Sequence, residues 1–124
     1  SQKLVEQYNA YKPFDDLAIN GQLTLSENLS DLAGLAAAYD AFKVSPSGKG
    51  TGAEADREFF TGFAQSWRTK MREATLRRVV LTDGHSPGQY RSNTVRNLDA
   101  WYKAFDVQPG QKLYLAPEQR VRVW

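Results

Sequence analysis

The sequence predicts a mainly α-helical protein with little or no sheet. Three stretches carry that expectation. Between Thr24 and Lys43, Leu29, Leu32, Ala33, Leu35, Ala36, Tyr39 and Phe42 recur at spacings of three and four with no proline among them. Phe59, Phe63, Trp67 and Met71 are spaced by four, with Phe60 and Ala64 beside them. Leu98, Trp101, Tyr102 and Phe105 fall at i, i+3, i+4 and i+7. With 124 residues and 41% hydrophobic content, the chain is long enough for one compact domain with a sizeable core.

In chain order, residues 2 to 12 place Leu4, Val5, Tyr8 and Tyr11 at helical spacing until Pro13 ends the segment. A loop with Asp15-Asp16 and the turn signal Asn20-Gly21 follows. The helix from Thr24 to Lys43 has a marked start: Thr24 with Glu27 fits a capping box, and Ser26 is an alternative N-cap. Ser45 to Gly52 is rich in glycine and serine and reads as an interhelical loop rather than a domain boundary. A helix from about Ala53 to Met71 is next, its aromatic stripe read as core. Arg68 to Arg78 is basic but interrupted by Glu73 and has no interleaved aromatics, so it reads as a solvated or internally paired face. Ala74 to Leu81 continues as a short helix with Leu76, Val79 and Val80 inward. Leu81 to Arg91, with Gly84, Pro87 and Gly88, is a loop. Asn97 caps the helix to Phe105, Pro109-Gly110 turns the chain, and an extended tail ends in an apolar Val121-Arg122-Val123-Trp124.

Composition removes several functions. There is no cysteine, hence no disulfide framework, thiolate zinc site or thiol nucleophile. A net charge of +2 among 24% charged residues describes a mixed surface, not one built for a polyanion. No run approaches the roughly 20 apolar residues of a membrane span, and Ser1 opens no signal-peptide pattern. The abrupt start suggests a piece of something larger. Neither phosphate-binding glycine motif is present.

Two places hold candidate chemistry. Glu27 and Asp31 are four apart, so both carboxylates leave one helix face, where like charges cost about 0.2–0.5 kcal/mol unless a cation offsets them. They fit either a capping box with a solvated first-turn carboxylate or a metal site in which one carboxylate ligates and the other orients a neighbouring ligand. The only histidine, His85, stands in the glycine-rich loop two residues after Asp83, which could fix its tautomer. A plain surface histidine is the alternative.

Several of these pieces, in this order, resemble the C-terminal end of the neprilysin and endothelin-converting-enzyme family of zinc endopeptidases, including its bacterial oligopeptidase O members. The matching stretches are Asn20-Gly21 with Leu23-Thr24-Leu25, then Glu27-Asn28-Leu29-Ser30-Asp31-Leu32-Ala33-Gly34-Leu35. Phe59-Phe60 with Phe63-Ala64-Gln65 and Trp67 follow, then Asp83-Gly84-His85-Ser86-Pro87 with Arg91, then Ala104-Phe105 and the closing Arg122-Val123-Trp124. The resemblance covers essentially the whole chain, and its E-N-x-x-D and H-S-P…R elements together are specific.

The resemblance implies residues 1–124 as the helical C-terminal portion of one gluzincin-type metallopeptidase catalytic domain, acting on short peptides. It implies Glu27 as the third zinc ligand and Asp31 as the carboxylate that hydrogen-bonds a ligating histidine. His85 would donate to the oxyanion of the tetrahedral intermediate, oriented and charged by Asp83. Arg91 would bind a peptide carbonyl, and Trp67 would line the pocket for the residue after the scissile bond. Trp124 would be buried structure. Two departures qualify this. The H-E-x-x-H helix, with two zinc-binding histidines and the water-activating glutamate, is absent, so it would lie upstream, the N-terminal part of the enzyme would be the partner, and this piece alone would be inactive and hold zinc weakly. Val121 stands where animal members have a cysteine, which favours a bacterial protein, exported to the periplasm or alternatively cytoplasmic. The competing function is a stand-alone helical module whose basic 68–78 face and aromatic stripe engage another protein. Nucleic-acid binding is a distant third.

Overall fold

The computed structural model describes residues 1–45 and 52–124. The loop expected over Ser45 to Gly52 falls largely on residues 46–51, outside the described residues. The chain forms α1 (Gln2–Asn9), α2 (Leu25–Lys43), α3 (Gly52–Ser66), α4 (Glu73–Thr82), α5 (Gly88–Ser92) and α6 (Asp99–Phe105). Short 3₁₀ turns span Asn93–Asn97 and Pro117–Gln119. Among the described residues there is no strand, only an isolated bridge between Phe14 and Leu17. The mainly α expectation therefore stands.

Two apolar clusters hold these elements. In one, Leu4 and Tyr8 of α1 meet Ile19 and Tyr90, with Tyr11, Leu25 and Val121 against them. In the other, Leu35 of α2 and Phe60 of α3 meet Val95 and Ala104, with Tyr39, Phe59, Phe63 and Trp101 around them. Tyr39 stacks on Phe60 at 5.4 Å and Phe42 on Phe59 at 5.1 Å. The aromatic stripe of α3 is thus core, and α3 packs chiefly on α6.

Polar groups tie the first helix to the last residues. Gln7 and Asn97 exchange a reciprocal pair of amide hydrogen bonds at 2.7 and 2.9 Å. Gln7 also donates to the Gln119 carbonyl at 3.0 Å, and the Val121 N–H donates to Asn97 Oδ1 at 2.8 Å. Both amides are buried, and every one of these partners is needed to offset the cost of burying them.

Several boundaries depart from expectation for local reasons. α1 stops at Asn9 rather than running to residue 12: Tyr11 N–H bonds the Tyr8 carbonyl and Asn9 Oδ1 accepts from Gly21 N–H at 2.7 Å. Only glycine fits at 21, because a Cβ there would lie 2.3 Å from the Val5 carbonyl oxygen. α3 ends at Ser66, not Met71. Ser66 Oγ donates to the Phe63 carbonyl, and Trp67 and Arg68 tighten to three-residue hydrogen bonds. Met71 is left outside and exposed. Leu98, not Asn97, is the N-cap of α6, since the Asn97 amide is spent on Gln7 and Val121. α4 matches within a residue at each end, and Arg77 of the basic stretch pairs with Asp16 and Glu73 over the Phe14 ring. At the C-terminus Val121 packs inward, whereas Trp124 is 70% exposed and only its indole N–H reaches Asp40, at 3.3 Å. Within the described residues Trp124 is thus exposed, not buried as the resemblance implies for the enzyme.

Candidate metal-ligand and transition-state site

The site is assembled where the first turn of α2 faces the segment between α4 and α5. Thr24 precedes α2, yet no capping box forms. Its hydroxyl donates to the Asn20 carbonyl at 3.1 Å and accepts from Asn28 Nδ2 at 2.8 Å, and it makes no cap bond to the helix. Ser26 lies inside the helix and is not the cap. Glu27 is thereby released from a capping role. Its side chain is 39% exposed, and its Oε2 lies 3.4 Å from His85 Nε2.

Asp83 ends α4 and begins the loop that carries the histidine. Its Oδ1 accepts both the His85 backbone N–H at 2.8 Å and His85 Nδ1 at 2.7 Å. A carboxylate only accepts, so Nδ1 carries the proton and Nε2 faces Glu27. Those two hydrogen bonds, the backbone one first, hold the Asp83 carboxyl below its usual range. Asp83 and His85 are thus in direct contact through both the ring and the backbone.

Asp31, one turn beyond Glu27, lies inward with its side chain 10% exposed. It grips Arg91 of α5 in a fork: Nε to Oδ2 and Nη2 to Oδ1, both 2.7 Å. The guanidinium lies over the Trp67 ring at 4.1 Å, and Phe63 meets that ring edge-on at 6.4 Å. Hydrogen bonding to Asp31 raises the Arg91 pKa above its already high value, and the field of Glu27 adds to it. The cation that offsets the Glu27–Asp31 repulsion is therefore Arg91. The sequence places Arg91 in a loop; it stands instead on a five-residue helix that Pro87 and Gly88 begin.

Gly88 brings that helix hard against Trp67, since a Cβ there would sit 2.5 Å from the Trp67 carbonyl oxygen. Gly88→Ala is expected to displace α5 from Trp67 at a cost of about 1–3 kcal/mol. The check is the urea unfolding midpoint, and an unchanged midpoint would show that the contact relaxes freely.

Asn28 and Ser86, which the sequence reading passes over, are also joined here, by a 2.8 Å hydrogen bond between their buried side chains. A signal existed for Asn28. It falls on the Leu32–Leu35 stripe at i, i+4 and i+7, a polar residue where the pattern calls for an apolar one.

Among the described residues no three His, Cys, Asp or Glu side chains gather as a metal-holding group. Among the described residues Glu27 is a half-exposed carboxylate that no arginine or lysine pairs with, a donor that a zinc ion could use. That donor fits one place in a ligand group completed from outside these residues.

Known proteins resemble this chain over most of its length. The family model described as peptidase family M13 matches residues 1–121. A neutral endopeptidase of Lactobacillus helveticus is 37% identical over 107 residues, which is 86% of this chain and 16% of that protein. Neprilysin-3 of Drosophila melanogaster is 31% identical over 133 residues, 100% of this chain and 16% of that one. A crystal structure of a Mycobacterium tuberculosis zinc metalloprotease in complex with inhibitor superposes with a TM-score of 0.89 at 40% identity, covering 99% of this chain and 20% of that one. PepO of Lactobacillus rhamnosis gives a TM-score of 0.85 at 34% identity, with 99% and 19% covered. The chain spans about one-sixth of the length of the curated relatives it matches.

Proposed function

This chain belongs to peptidase family M13, and on that premise we propose that it is the C-terminal portion of the catalytic domain of a zinc metalloendopeptidase cleaving short peptides. The observation that carries the reading is the approach of Glu27 Oε2 to His85 Nε2 at 3.4 Å, beside the Asp31–Arg91 fork. The two groups face one another at the solvent-exposed surface, where the carboxylate would ligate a metal and the imidazole would bear a proton.

Glu27 would be one of three protein ligands, the two histidines coming from the rest of the polypeptide. Zinc, when bound, polarises a scissile carbonyl and acidifies water. The glutamate that activates water would also come from the rest of the polypeptide, and the remaining roles fall to side chains of this chain. With both ring nitrogens protonated, His85 would donate from Nε2 to the carbonyl oxygen as it gains negative charge, its Nδ1 proton being committed to Asp83. Asp31 keeps a second lone pair on each oxygen beside its Arg91 bonds, enough to accept the N–H of a ligating imidazole. Arg91 keeps its Nη1 pair and the second Nη2 proton for a peptide carbonyl, and the Trp67 face holds its guanidinium in plane. Trp67 is half-buried and would form one wall of the pocket for the residue after the scissile bond.

One carboxylate without histidine ligands holds zinc weakly. The 124 residues alone are therefore expected to cleave no peptide, whereas the full-length polypeptide cleaves in a chelator-sensitive manner. A fluorogenic peptide assay on both, with and without chelator, tests this. Chelator-sensitive cleavage by the short chain, or none by the long one, would overturn the reading.

A further inference from the structure

Ser86 follows His85 directly, and Asn28 follows Glu27 directly. The two candidate site residues are thus each one peptide bond from a member of a buried hydrogen-bonded pair, with Ser86 3% and Asn28 1% exposed. Ser86 Oγ donates to Asn28 Oδ1 at 2.8 Å, and Asn28 Nδ2 donates to Thr24 Oγ1 at 2.8 Å. Thr24 passes its own proton to the Asn20 carbonyl at 3.1 Å. The relay has one direction: with Nδ2 on Thr24, Oδ1 must face Ser86.

His85 has no comparable hold on α2. Its side chain is 52% exposed, and Asp83 belongs to the same loop, so the 2.7 Å bond fixes the ring to the loop but not the loop to the helix. The contact with Glu27, at 3.4 Å between half-exposed groups, is too long and too wet to set a distance. An apolar contact between loop and helix would slide. A buried amide–hydroxyl bond is satisfied in one register only, and leaving it unmade costs the full desolvation of both groups.

We propose that Ser86 and Asn28 are positioning residues that act through His85: their hydrogen bond sets the separation between the imidazole and the Glu27 carboxylate. The proposal rests on the metallopeptidase reading above. A misplacement of about 1 Å in such a gap can cost on the order of 10²-fold in rate.

The test uses the full-length enzyme with Ser86→Ala, and with Ser86→Thr, which keeps the hydroxyl. Both are made in the native background and in His85→Ala, and kcat, KM, zinc content and thermal midpoint are measured. Ser86→Ala is expected to lower kcat by about 10–100-fold, the range for loss of an outer partner at a metal site. KM and zinc content should stay near the native values, and Ser86→Thr should regain most of the loss. In the His85→Ala background the same Ser86→Ala change should lower kcat less than about twofold, because there is no imidazole left to place. Ser86→Cys, of similar size and a weaker donor, carries the same expectation in smaller measure if Ser86→Ala does not fold. Equal losses in both backgrounds, or a lower thermal midpoint with kcat unchanged, would overturn the positioning role while leaving the metallopeptidase intact. Undiminished kcat in His85→Ala alone would overturn the positioning role together with the role given to His85, again leaving the metallopeptidase intact.

Discussion

Glu27→Ala in the full-length polypeptide is expected to strip the zinc and abolish peptide hydrolysis together. Losing a hydrogen-bonded partner of a zinc ligand typically costs about 10–100-fold in affinity or activity. Losing one of three protein ligands outright must exceed that, so metal retention after dialysis should fall more than about 100-fold and kcat with it. Glu27→Gln should do nearly as badly, since the amide keeps the volume and the contact with His85 but offers the metal no charge. The structure sharpens the contrast with the alternative role. Thr24 is occupied by Asn20 and Asn28, so Glu27 has no capping partner to lose. A glutamate that merely favoured the helix N-terminus would cost about 0.3–1 kcal/mol of stability on removal and leave zinc in place. Metal analysis per mole of protein beside kcat separates the two outcomes, and full occupancy with normal turnover would remove Glu27 from the metal.

The second large effect is on stability. Asp31→Ala is expected to cost about 3 kcal/mol, the low end for breaking a buried ion pair because Arg91 retains 18% exposure. Most of that is the penalty of leaving the Arg91 guanidinium between Trp67 and an empty space. The double change Asp31→Leu with Arg91→Met should therefore recover much of the loss, although it would destroy the proposed substrate contact. Denaturant midpoints for the single and double variants check the sign. A double variant as unstable as the single one would mean that the pair, rather than the unpaired charge, carries the energy. Arg91→Lys belongs in the same series. It keeps the charge but cannot make the two-pronged bond or lie flat on the indole, so it should behave more like a deletion than a conservative change.

The sequence showed the helices wherever an apolar stripe persisted for several turns. α2, α3 and α6 follow from Leu32 and Leu35, from Phe59, Phe60 and Phe63, and from Trp101 and Tyr102, because burial of these side chains is what makes those helices stable. Ends were less legible, since they are decided by side chains that reach across the fold. Asn97 has the composition of a cap, but Gln7, ninety residues away, claims its amide. Thr24 and Glu27 have the spacing of a capping box, but Asn28 and Asn20 occupy the hydroxyl. The site divided the same way. Asp83 with His85, two residues apart, was readable locally, as was the shared face of Glu27 and Asp31. That Arg91 is the counter-ion of Asp31, and that Ser86 meets Asn28, depends on contacts 60 and 58 residues apart. No local pattern encodes those.

The knot of amides between α1 and the tail bears on the order in which the molecule can be made. Gln7 is synthesised well before its partners Asn97 and Gln119, which follow it by 90 and 112 residues. At about 5–20 residues per second, α1 is made on the order of 10 s before Asn97 and Gln119, with only the nearby Tyr11, Ile19 and Leu25 at hand to cover Leu4 and Tyr8. The Gln7 amide therefore lacks these partners until Asn97 and Gln119 have been made, and the tie between α1 and the later residues closes late.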